Sequence, residues 1–238
     1  MRFLTLCRSL IFQVFFYLWS AFVIIAFLPT LLLPDRCTLW MPITWGWGTR
    51  FLLWAICGTH IRVIGLENLP KEPGYIIASK HESAMETTLF HTMIPDAFYV
   101  LKQVLGWLPL MCFYFKKTHC ILIDRKGGAV AMRSMLEATK KNLKMSKNLI
   151  IFPEGTRAKP RTKTKYNPGV ALLYEQCKAP VVPVALNTGY FWPKNGLYRY
   201  GGTVTFSFLP PIQPGLEKRQ FLELLEKTIE DACAQMNP

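Results

Sequence analysis

The most uniform stretch of apolar residues lies near the start of the chain. Residues 10–33 read LIFQVFFYLWSAFVIIAFLPTLLL and contain no charged side chain. About 20 apolar residues are enough to cross the hydrocarbon core of a bilayer, so this run predicts a membrane helix. A signal peptide is the alternative, but its apolar core has only about 7 to 15 residues and is followed by small residues. Because this run is longer and ends in three leucines before a proline, we favour a membrane helix.

A second apolar segment, residues 40–56, contains four tryptophans around Arg50. Tryptophan rings favour the interface between lipid and water, so this segment predicts an interfacial helix. The linker at residues 34–39 is short enough for an antiparallel hairpin, in which both helices dip into one leaflet instead of the first one spanning the bilayer. The pattern leaves both arrangements open. We assign residues 1–58 to a membrane-anchoring helical segment and residues 59–238 to one globular domain.

Beyond residue 58, short apolar runs alternate with longer amphipathic stretches. The apolar runs predict strands at residues 60–64, 74–78, 97–101, 120–123, 148–152, 181–186 and 203–208. Helical spacing predicts helices at residues 83–94, 129–145 and 217–233. The last of these helices directs four side chains to the core, namely Phe221, Leu224, Leu225 and Ile229. This alternation indicates an α/β fold with a mixed central sheet flanked by helices.

Composition narrows the class of protein. The 238-residue chain is 51% hydrophobic and carries a formal net charge of +13, a combination that favours contact with an anionic membrane surface. A nucleic-acid partner is not expected, because the sequence has no helix-turn-helix, RNA-binding sheet signature or zinc-ligand spacing. The seven cysteines include no C-x-x-C pair, which indicates free thiols and no metal site. Cys120 follows His119, but neighbouring side chains on a strand point to opposite faces, which argues against a Cys/His nucleophile.

Two polar segments, each directly after a predicted strand, carry the candidate chemistry. They are residues 81–86, HESAME, and residues 152–157, FPEGTR. Loops at the carboxyl ends of strands can share one crevice. With His81 in the loop and Glu86 in the first helical turn, the carboxylate can reach back to the ring and orient His81 as a general base. The alternative is that Ser83 and Glu86 form a capping box and that Glu86 has no chemical role.

A second pair, His91 and Asp96, has the same spacing of five positions. Pro95 interrupts the chain immediately before Asp96, and no apolar strand leads into His91. The pair therefore lies at the end of a predicted helix rather than at its start. We assign His91 to a structural or surface role and His81 to the chemistry.

Together these segments resemble the glycerophospholipid acyltransferase family, whose members share a His-x-x-x-x-Asp motif and three further blocks. His81 and Glu86 match the first motif, with Glu in place of Asp. The other blocks follow in the family order, at residues 123–125 (IDR), 152–157 (FPEGTR) and 181–184 (VVPV). The resemblance covers about residues 60–210 and implies a fold like that of glycerol-3-phosphate acyltransferase, with residues 59–238 as the acyltransferase catalytic domain.

The resemblance implies a membrane enzyme that transfers an acyl group from acyl-CoA or acyl carrier protein to lysophosphatidic acid, giving phosphatidic acid in phospholipid biosynthesis. His81 and Glu86 are then the catalytic pair. The residues that it implies for the substrate site are Lys102, Arg125, Glu154, Gly155, Thr156 and Arg157. Apart from the thioester co-substrate, no cofactor is expected. The expected location is the bacterial inner membrane, with the catalytic domain at its cytoplasmic face.

Two alternatives to this function stay open. The family blocks do not separate lysophosphatidic acid from another acceptor, such as a different lysophospholipid or a lyso-ornithine lipid. A catalytically inactive membrane scaffold that keeps the four blocks is the other alternative.

A basic run follows the FPEGTR block. Residues 157–165 read RAKPRTKTK and carry five basic residues, one at every second position. Such runs are often solvated loops, but they also attract anionic lipid headgroups. Both interpretations are compatible with the sequence.

Overall fold

The structure is a computed structural model that describes residues 2–124 and 126–236 of the chain. Its centre is a sheet of seven strands within these residues. The strands are β1 (Thr59–Ile64), β2 (Ile76–Ser79), β3 (Ala97–Lys102), β4 (Ile121–Ile123), β5 (Asn148–Ile151), β6 (Val181–Leu186) and β7 (Gly202–Phe208). Their order across the sheet is β1-β7-β6-β2-β5-β3-β4, and all neighbours are parallel except β6 and β7. The predicted mixed sheet is therefore confirmed.

Helices flank this sheet and precede it. They are α1 (Arg2–Ala26), α2 (Asp35–Thr38), α3 (Trp40–Leu52), α4 (Met85–Met93), α5 (Met111–Lys117), α6 (Gly128–Lys144), α7 (Pro168–Cys177), α8 (Thr188–Phe191) and α9 (Lys218–Ala234). Short 3-10 turns occupy Leu28–Leu32, Leu66–Asn68 and Gln103–Trp107, and a π-helical turn at Leu53–Cys57 extends α3. The three helices predicted beyond residue 58 correspond to α4, α6 and α9. The hydrophobic pattern did not predict α5, α7 or α8, which are short.

The sheet separates two hydrophobic cores, and β2 contributes to both. Ile77 points into the core that contains Phe90 of α4. Its neighbours Ile76 and Ala78 point into the opposite core, which contains side chains of α6, α7 and α9. This alternation follows from the two-residue period of a strand. Because every residue of β2 is buried, the loop that follows this strand begins inside the protein.

Helix α9 covers the second core with one stripe of side chains. Phe221, Leu225 and Ile229 are fully buried, as the sequence predicts. Leu224 was expected in the same stripe, but it is 42% exposed. The expectation is wrong for Leu224 because this residue lies at the edge of the stripe, turned toward solvent.

Helices α1 and α3 form an antiparallel hairpin. The indole N–H of Trp19 donates to the carbonyl oxygen of Trp45 at 3.2 Å, and the indole N–H of Trp45 donates to Ser20 Oγ at 2.9 Å. The helices approach closely at Gly48, where a Cβ atom would lie only 2.1 Å from the Trp19 ring. Glycine at this position therefore permits the packing of the two helices.

The first half of α1 packs against the sheet domain. Phe12 is fully buried in the first core, and its ring meets that of Trp192 edge to face at 5.3 Å. The backbone N–H of Arg199 donates to Ser9 Oγ at 2.7 Å. The helical segment thus shares a core with the sheet, whose first strand begins at Thr59. The division of the chain at residue 58 into an anchor and a catalytic domain stays a prediction.

Most of the apolar surface of α1 faces outward. Val14, Leu18 and Ile25 are each more than half exposed. The segment Phe3–Leu32 is long and apolar enough to cross a membrane, and only 11% of its most apolar window is buried. Among the described residues, it alone meets this criterion of length and composition.

Candidate active site

Three segments meet at the carboxyl ends of the adjacent parallel strands β6, β2 and β5. They are the loop of residues 80–84 after β2, the loop of residues 152–158 after β5, and residues 187–191 after β6, which include the short helix α8. The N–H of Ala158 donates to the carbonyl oxygen of His81 at 2.7 Å, and the N–H of His81 donates to Glu154 Oε1 at 3.3 Å. The two polar segments singled out in the sequence therefore lie in contact.

His81 lies in the loop after β2, and Glu86 lies in the first turn of α4. Nδ1 of His81 is 3.2 Å from Oε2 of Glu86. When Glu86 is ionised, its carboxylate only accepts hydrogen bonds, and the neutral ring that fits this contact has its proton on Nδ1 and a lone pair on Nε2. The ring stacks on Phe152 with centroids 4.0 Å apart, which fixes its plane. The His81 side chain is 15% exposed whereas that of Glu86 is fully buried, so only the histidine faces solvent.

The Glu86 carboxylate is also the cap of its helix. Oε1 accepts the backbone N–H of Ser83 at 2.8 Å and that of Glu82 at 3.1 Å. The hydroxyl of Thr188, the first residue of α8 after β6, donates to the same oxygen. The capping box expected from the sequence is formed at Ser83, whose N–H also lies 3.0 Å from Glu86 Oε2 and whose Oγ accepts the N–H of Met85 at 3.1 Å. The capping and ring-orienting interpretations are compatible, since one oxygen serves mainly the backbone and the other faces the ring.

Behind His81 lies a buried ionic cluster that the sequence did not predict. Lys80 is 1% exposed, and its Nζ atom lies 2.5 Å from Glu230 Oε1 and 3.5 Å from Glu154 Oε1. The hydroxyl of Tyr166 donates to Glu230 Oε1 at 3.2 Å. Burial lowers the pKa of Lys80, but the hydrogen bond to Glu230 and the carboxylate charges outweigh it, so the net pKa is raised. The cluster joins the loops after β2 and β5 to α9.

Two of the buried carboxyl groups have strongly raised pKa values. Burial raises the pKa of Glu154 to about 7, although Lys80 opposes the shift. Burial likewise raises the pKa of Glu82 to about 8, with a further contribution from the nearby charge of Glu86. The N–H of Gly189 donates to Glu82 Oε2 at 3.0 Å. Lys80, Glu82 and Glu86, within seven positions after an apolar strand, were the available signal, but no spacing rule connects them to α9.

The remaining residues of the FPEGTR block form the rim of the crevice. Gly155 has φ +67°, in the left-handed region that favours glycine, and closes a turn by donating to the carbonyl oxygen of Phe152. Thr156 is exposed and Arg157 is half-buried. Lys194 Nζ donates to the carbonyl oxygen of Arg157 at 2.8 Å, which adds a cation that the sequence analysis missed.

Two substrate-site candidates are not brought into this crevice by the described contacts. Lys102 ends β3, two strands away from β2, and its side chain is exposed. Arg125 lies outside the described residues. The role expected for each stays a prediction.

The second histidine pair has a different environment. His91 is 5% exposed, and its ring meets that of Tyr99 at 5.3 Å. Burial lowers the pKa of His91 to about 4. Asp96 is exposed in the turn immediately before β3. His91 is therefore a core residue that is neutral at physiological pH.

The His119 and Cys120 side chains have separate partners. Nε2 of His119 lies 2.9 Å from Asp35 Oδ2, whereas Cys120 Sγ lies 3.4 Å from Thr118 Oγ1. Burial raises the pKa of Cys120, which disfavours a nucleophilic thiolate. All seven cysteines are free. Among the described residues, no group of three His, Cys, Asp or Glu side chains is arranged to hold a metal ion.

The histidine-bearing loops lie within the part of the chain that matches a known protein family. Residues 60–187, more than half of the chain, match the family described as Acyltransferase, and the chain belongs to this family. It is 31% identical over 196 residues to a protein of Pseudomonas aeruginosa named 1-acyl-sn-glycerol-3-phosphate acyltransferase, across 79% of this chain and 76% of that protein. A Saccharomyces cerevisiae protein of the same name is 30% identical over 178 residues, across 71% of this chain and 57% of that protein.

One solved structure shares the whole fold. The crystal structure of the 1-acyl-sn-glycerophosphate (LPA) acyltransferase, PlsC, from Thermotoga maritima superposes with a TM-score of 0.81 and covers 96% of both chains. The two sequences are 20% identical, so this likeness shows the fold alone. Because it covers nearly the whole of both chains, it extends over the α1–α3 hairpin as well as the sheet.

Proposed function

We propose that the protein transfers an acyl group from an acyl thioester to the free hydroxyl of lysophosphatidic acid and so forms phosphatidic acid. The observation that carries this proposal is the contact between His81 Nδ1 and Glu86 Oε2, 3.2 Å apart, at the mouth of the crevice. The names of the bacterial and yeast relatives support the choice of acceptor. Other lysophospholipids differ from this acceptor in the headgroup.

In the proposed reaction, Nε2 of His81 accepts the proton of the acceptor hydroxyl while the oxygen bonds to the carbonyl carbon of the thioester. The tetrahedral intermediate then expels the thiolate as the C–S bond breaks. The imidazolium returns its proton to the sulfur, so an ester and a free thiol are released and His81 is neutral again. The Glu86 carboxylate stabilises the positive charge that the ring carries between these two steps.

The acceptor phosphate is assigned to the basic rim of the crevice. Arg157 is half-buried beside the exposed Thr156, and Lys194 lies against both residues. Guanidinium groups bind phosphate through paired hydrogen bonds, so Arg157 is the main candidate, with Arg125 and Lys102 as further cations. Glu154 and Gly155 shape the rim, because the carboxylate accepts the His81 N–H and the glycine closes the turn.

The acyl donor is assigned to the basic run after Arg157, and the membrane to that run and to the outward apolar face of α1. Acyl-CoA and acyl carrier protein are both acidic, and four exposed cations follow Arg157, namely Lys159, Arg161, Lys163 and Lys165. The same cations suit anionic lipid headgroups. The outward apolar face of α1 supports attachment to a membrane, which we take to be the bacterial inner membrane with the crevice on its cytoplasmic face.

Thiol release from purified protein in mixed micelles tests the proposal. Lysophosphatidic acid is supplied with acyl-CoA or with acyl carrier protein, and wild type is compared with His81→Ala and with His60→Ala. His60 is an exposed histidine on β1 and serves as the matched control. We expect release that requires the acceptor, a loss on the order of 10²–10⁴-fold in His81→Ala, and no loss in His60→Ala.

A panel of acceptors separates the alternatives. Faster turnover of another lysophospholipid or of a lyso-ornithine lipid would overturn the choice of acceptor but keep the chemistry. No release from wild type with any acceptor and either donor would overturn the proposal and favour an inactive scaffold.

A further inference from the structure

Helix α8, directly after β6, holds the two acidic residues that follow β2, namely Glu82 in the loop and Glu86 in the first turn of α4. Thr188 is fully buried, and its hydroxyl donates to Oε1 of Glu86. The next residue, Gly189, donates its N–H to Oε2 of Glu82 at 3.0 Å. These two contacts span 102 and 107 positions of sequence and join the ends of the neighbouring strands β6 and β2.

The Thr188 hydroxyl is different in kind from the other donors to Glu86 Oε1. The other two are the N–H groups of Glu82 and Ser83, which belong to the same loop as His81. Among the described residues, Thr188 is the one side-chain donor to this oxygen. Its hydrogen bond therefore fixes the position of the carboxylate relative to the centre of the sheet, whereas the backbone donors fix it only relative to its own loop.

A carboxylate is planar, so fixing one oxygen fixes the direction of the other. With Oε1 held by Thr188, Oε2 points at Nδ1 of His81. Hydroxyl donors to ionised carboxylates form short, strong hydrogen bonds. Loss of this bond leaves the carboxylate with backbone donors alone, the N–H of Glu82 on Oε1 and the N–H of Ser83 at 2.8 Å from Oε1 and 3.0 Å from Oε2. These donors belong to the same loop as His81, so no contact that the structure describes then ties the carboxylate to the neighbouring strand β6.

We infer that Thr188 is a positioning residue for acyl transfer, whose hydroxyl holds the Glu86 carboxylate in line with His81. This inference rests on the proposed function. Thr188 is buried behind Glu86 and acts through it, so its removal changes the chemical step and leaves substrate binding unchanged.

Three variants test the inference. Thr188→Val keeps the shape of the side chain and removes the hydroxyl, whereas Thr188→Ser keeps the hydroxyl. The matched control is Thr88→Val, since Thr88 is also buried but donates to the carbonyl oxygen of Met85. We expect kcat to fall about 10- to 100-fold in Thr188→Val with KM changed less than about twofold, because one hydrogen bond to a charged group is lost. Thr188→Ser and Thr88→Val should retain wild-type kcat.

Equal kcat in Thr188→Val and wild type would overturn the inference. A higher KM with unchanged kcat, or a kcat in Thr188→Ser as low as that in Thr188→Val, would also overturn it. If Thr188→Val fails to fold, Thr188→Ala takes its place. A double-mutant cycle of Thr188→Val with Glu86→Ala, measured as the free energy of unfolding in urea, needs no turnover. Wild type without any turnover would overturn the proposed function, whereas zero coupling in this cycle would overturn the inference about Thr188.

Discussion

His81 and Glu86 are five positions apart in sequence, yet Nδ1 of the one lies 3.2 Å from Oε2 of the other. In a regular helix, side chains meet at spacings of three or four positions. The contact forms because His81 lies before α4, which begins at Met85, so that the first helical turn folds back over the loop. The pair therefore depends on the bend between β2 and α4 rather than on helical periodicity.

Glu86→Gln should lower kcat more than Glu86→Asp. An amide can donate its N–H to Nδ1, which would place the ring proton on Nε2 and remove the lone pair that accepts the substrate proton. We expect a loss on the order of 100-fold or more for Glu86→Gln. Aspartate keeps the charge but has a shorter arm, so a smaller loss is expected. Steady-state kinetics on folded variants checks the order, and the reverse order would contradict it.

His91→Ala should destabilise the protein without changing its chemistry. His91 is buried against Tyr99, so truncation leaves a cavity and is expected to lower the free energy of unfolding by about 1–3 kcal/mol. Urea unfolding and thiol release, measured on the same sample, check both parts. If His91→Ala abolished turnover while His81→Ala retained it, the assignment of the two histidines would be reversed.

Glu82→Gln should make the folded protein more stable at alkaline pH. Burial raises the pKa of Glu82 from its ordinary value of 4.5 to about 8, and Glu86, Lys80 and Glu154 are the charged groups around it. The folded state thus binds this proton more tightly than the unfolded state, so its stabilising effect is lost as pH rises toward 8. Glutamine does not titrate, so its contribution to stability does not change with pH, and its side-chain oxygen can still accept the Gly189 N–H.

The measurement is the melting temperature of wild type and Glu82→Gln between pH 5 and pH 9. Each kcal/mol of stability shifts the melting temperature by on the order of 2–4 °C. The variant should gain on wild type as pH rises to 8. Glu72→Gln, at an exposed position, is the control and should follow wild type. A difference that stays constant with pH would contradict the expectation.

Much of the fold was predictable from local pattern, and the part of the site that was not depends on contacts distant in sequence. Strands such as β2 and β5 are apolar runs bounded by polar residues, which period and length reveal. The contact of His81 with Glu86 is also local. In contrast, Lys80 meets Glu230 across 150 positions, and only the packing of α9 under the sheet brings them together. Thr188 meets Glu86 for the same kind of reason, because β6 and β2 are neighbours.

Short helices were the other limit. Helix α7 begins with Pro168 and Gly169, and its ten residues form too few turns for a clear helical period. The start of α4 shows a related limit, since the sequence predicts a helix from Ser83 whereas the structure begins it at Met85. Pattern predicts that an element exists more reliably than where it starts.

Lys80→Met should be strongly destabilising. It leaves the carboxylates of Glu154 and Glu230 without their buried cation, which costs about 3–5 kcal/mol in comparable cases. Glu230→Gln should cost less, because Lys80 keeps Glu154 as a partner. Urea unfolding gives both free energies. Arg219→Met, which breaks an exposed ion pair with Glu223 on α9, is the control, and an equal loss in control and Lys80→Met would contradict the expectation.

Thr139→Val should stabilise the protein. Thr139 lies on α6 with no exposed surface, and its hydroxyl has no hydrogen-bond partner among the described residues. Burial of an unpaired hydroxyl is unfavourable, and valine has the same shape without it, so we expect a gain of about 1 kcal/mol in the free energy of unfolding. Thr118→Val is the matched control, because the Thr118 hydroxyl donates to the carbonyl oxygen of Tyr114 at 2.8 Å and its removal should destabilise. Urea midpoints of the two variants should therefore move in opposite directions, and a loss in Thr139→Val would mean that its hydroxyl is hydrogen-bonded in solution.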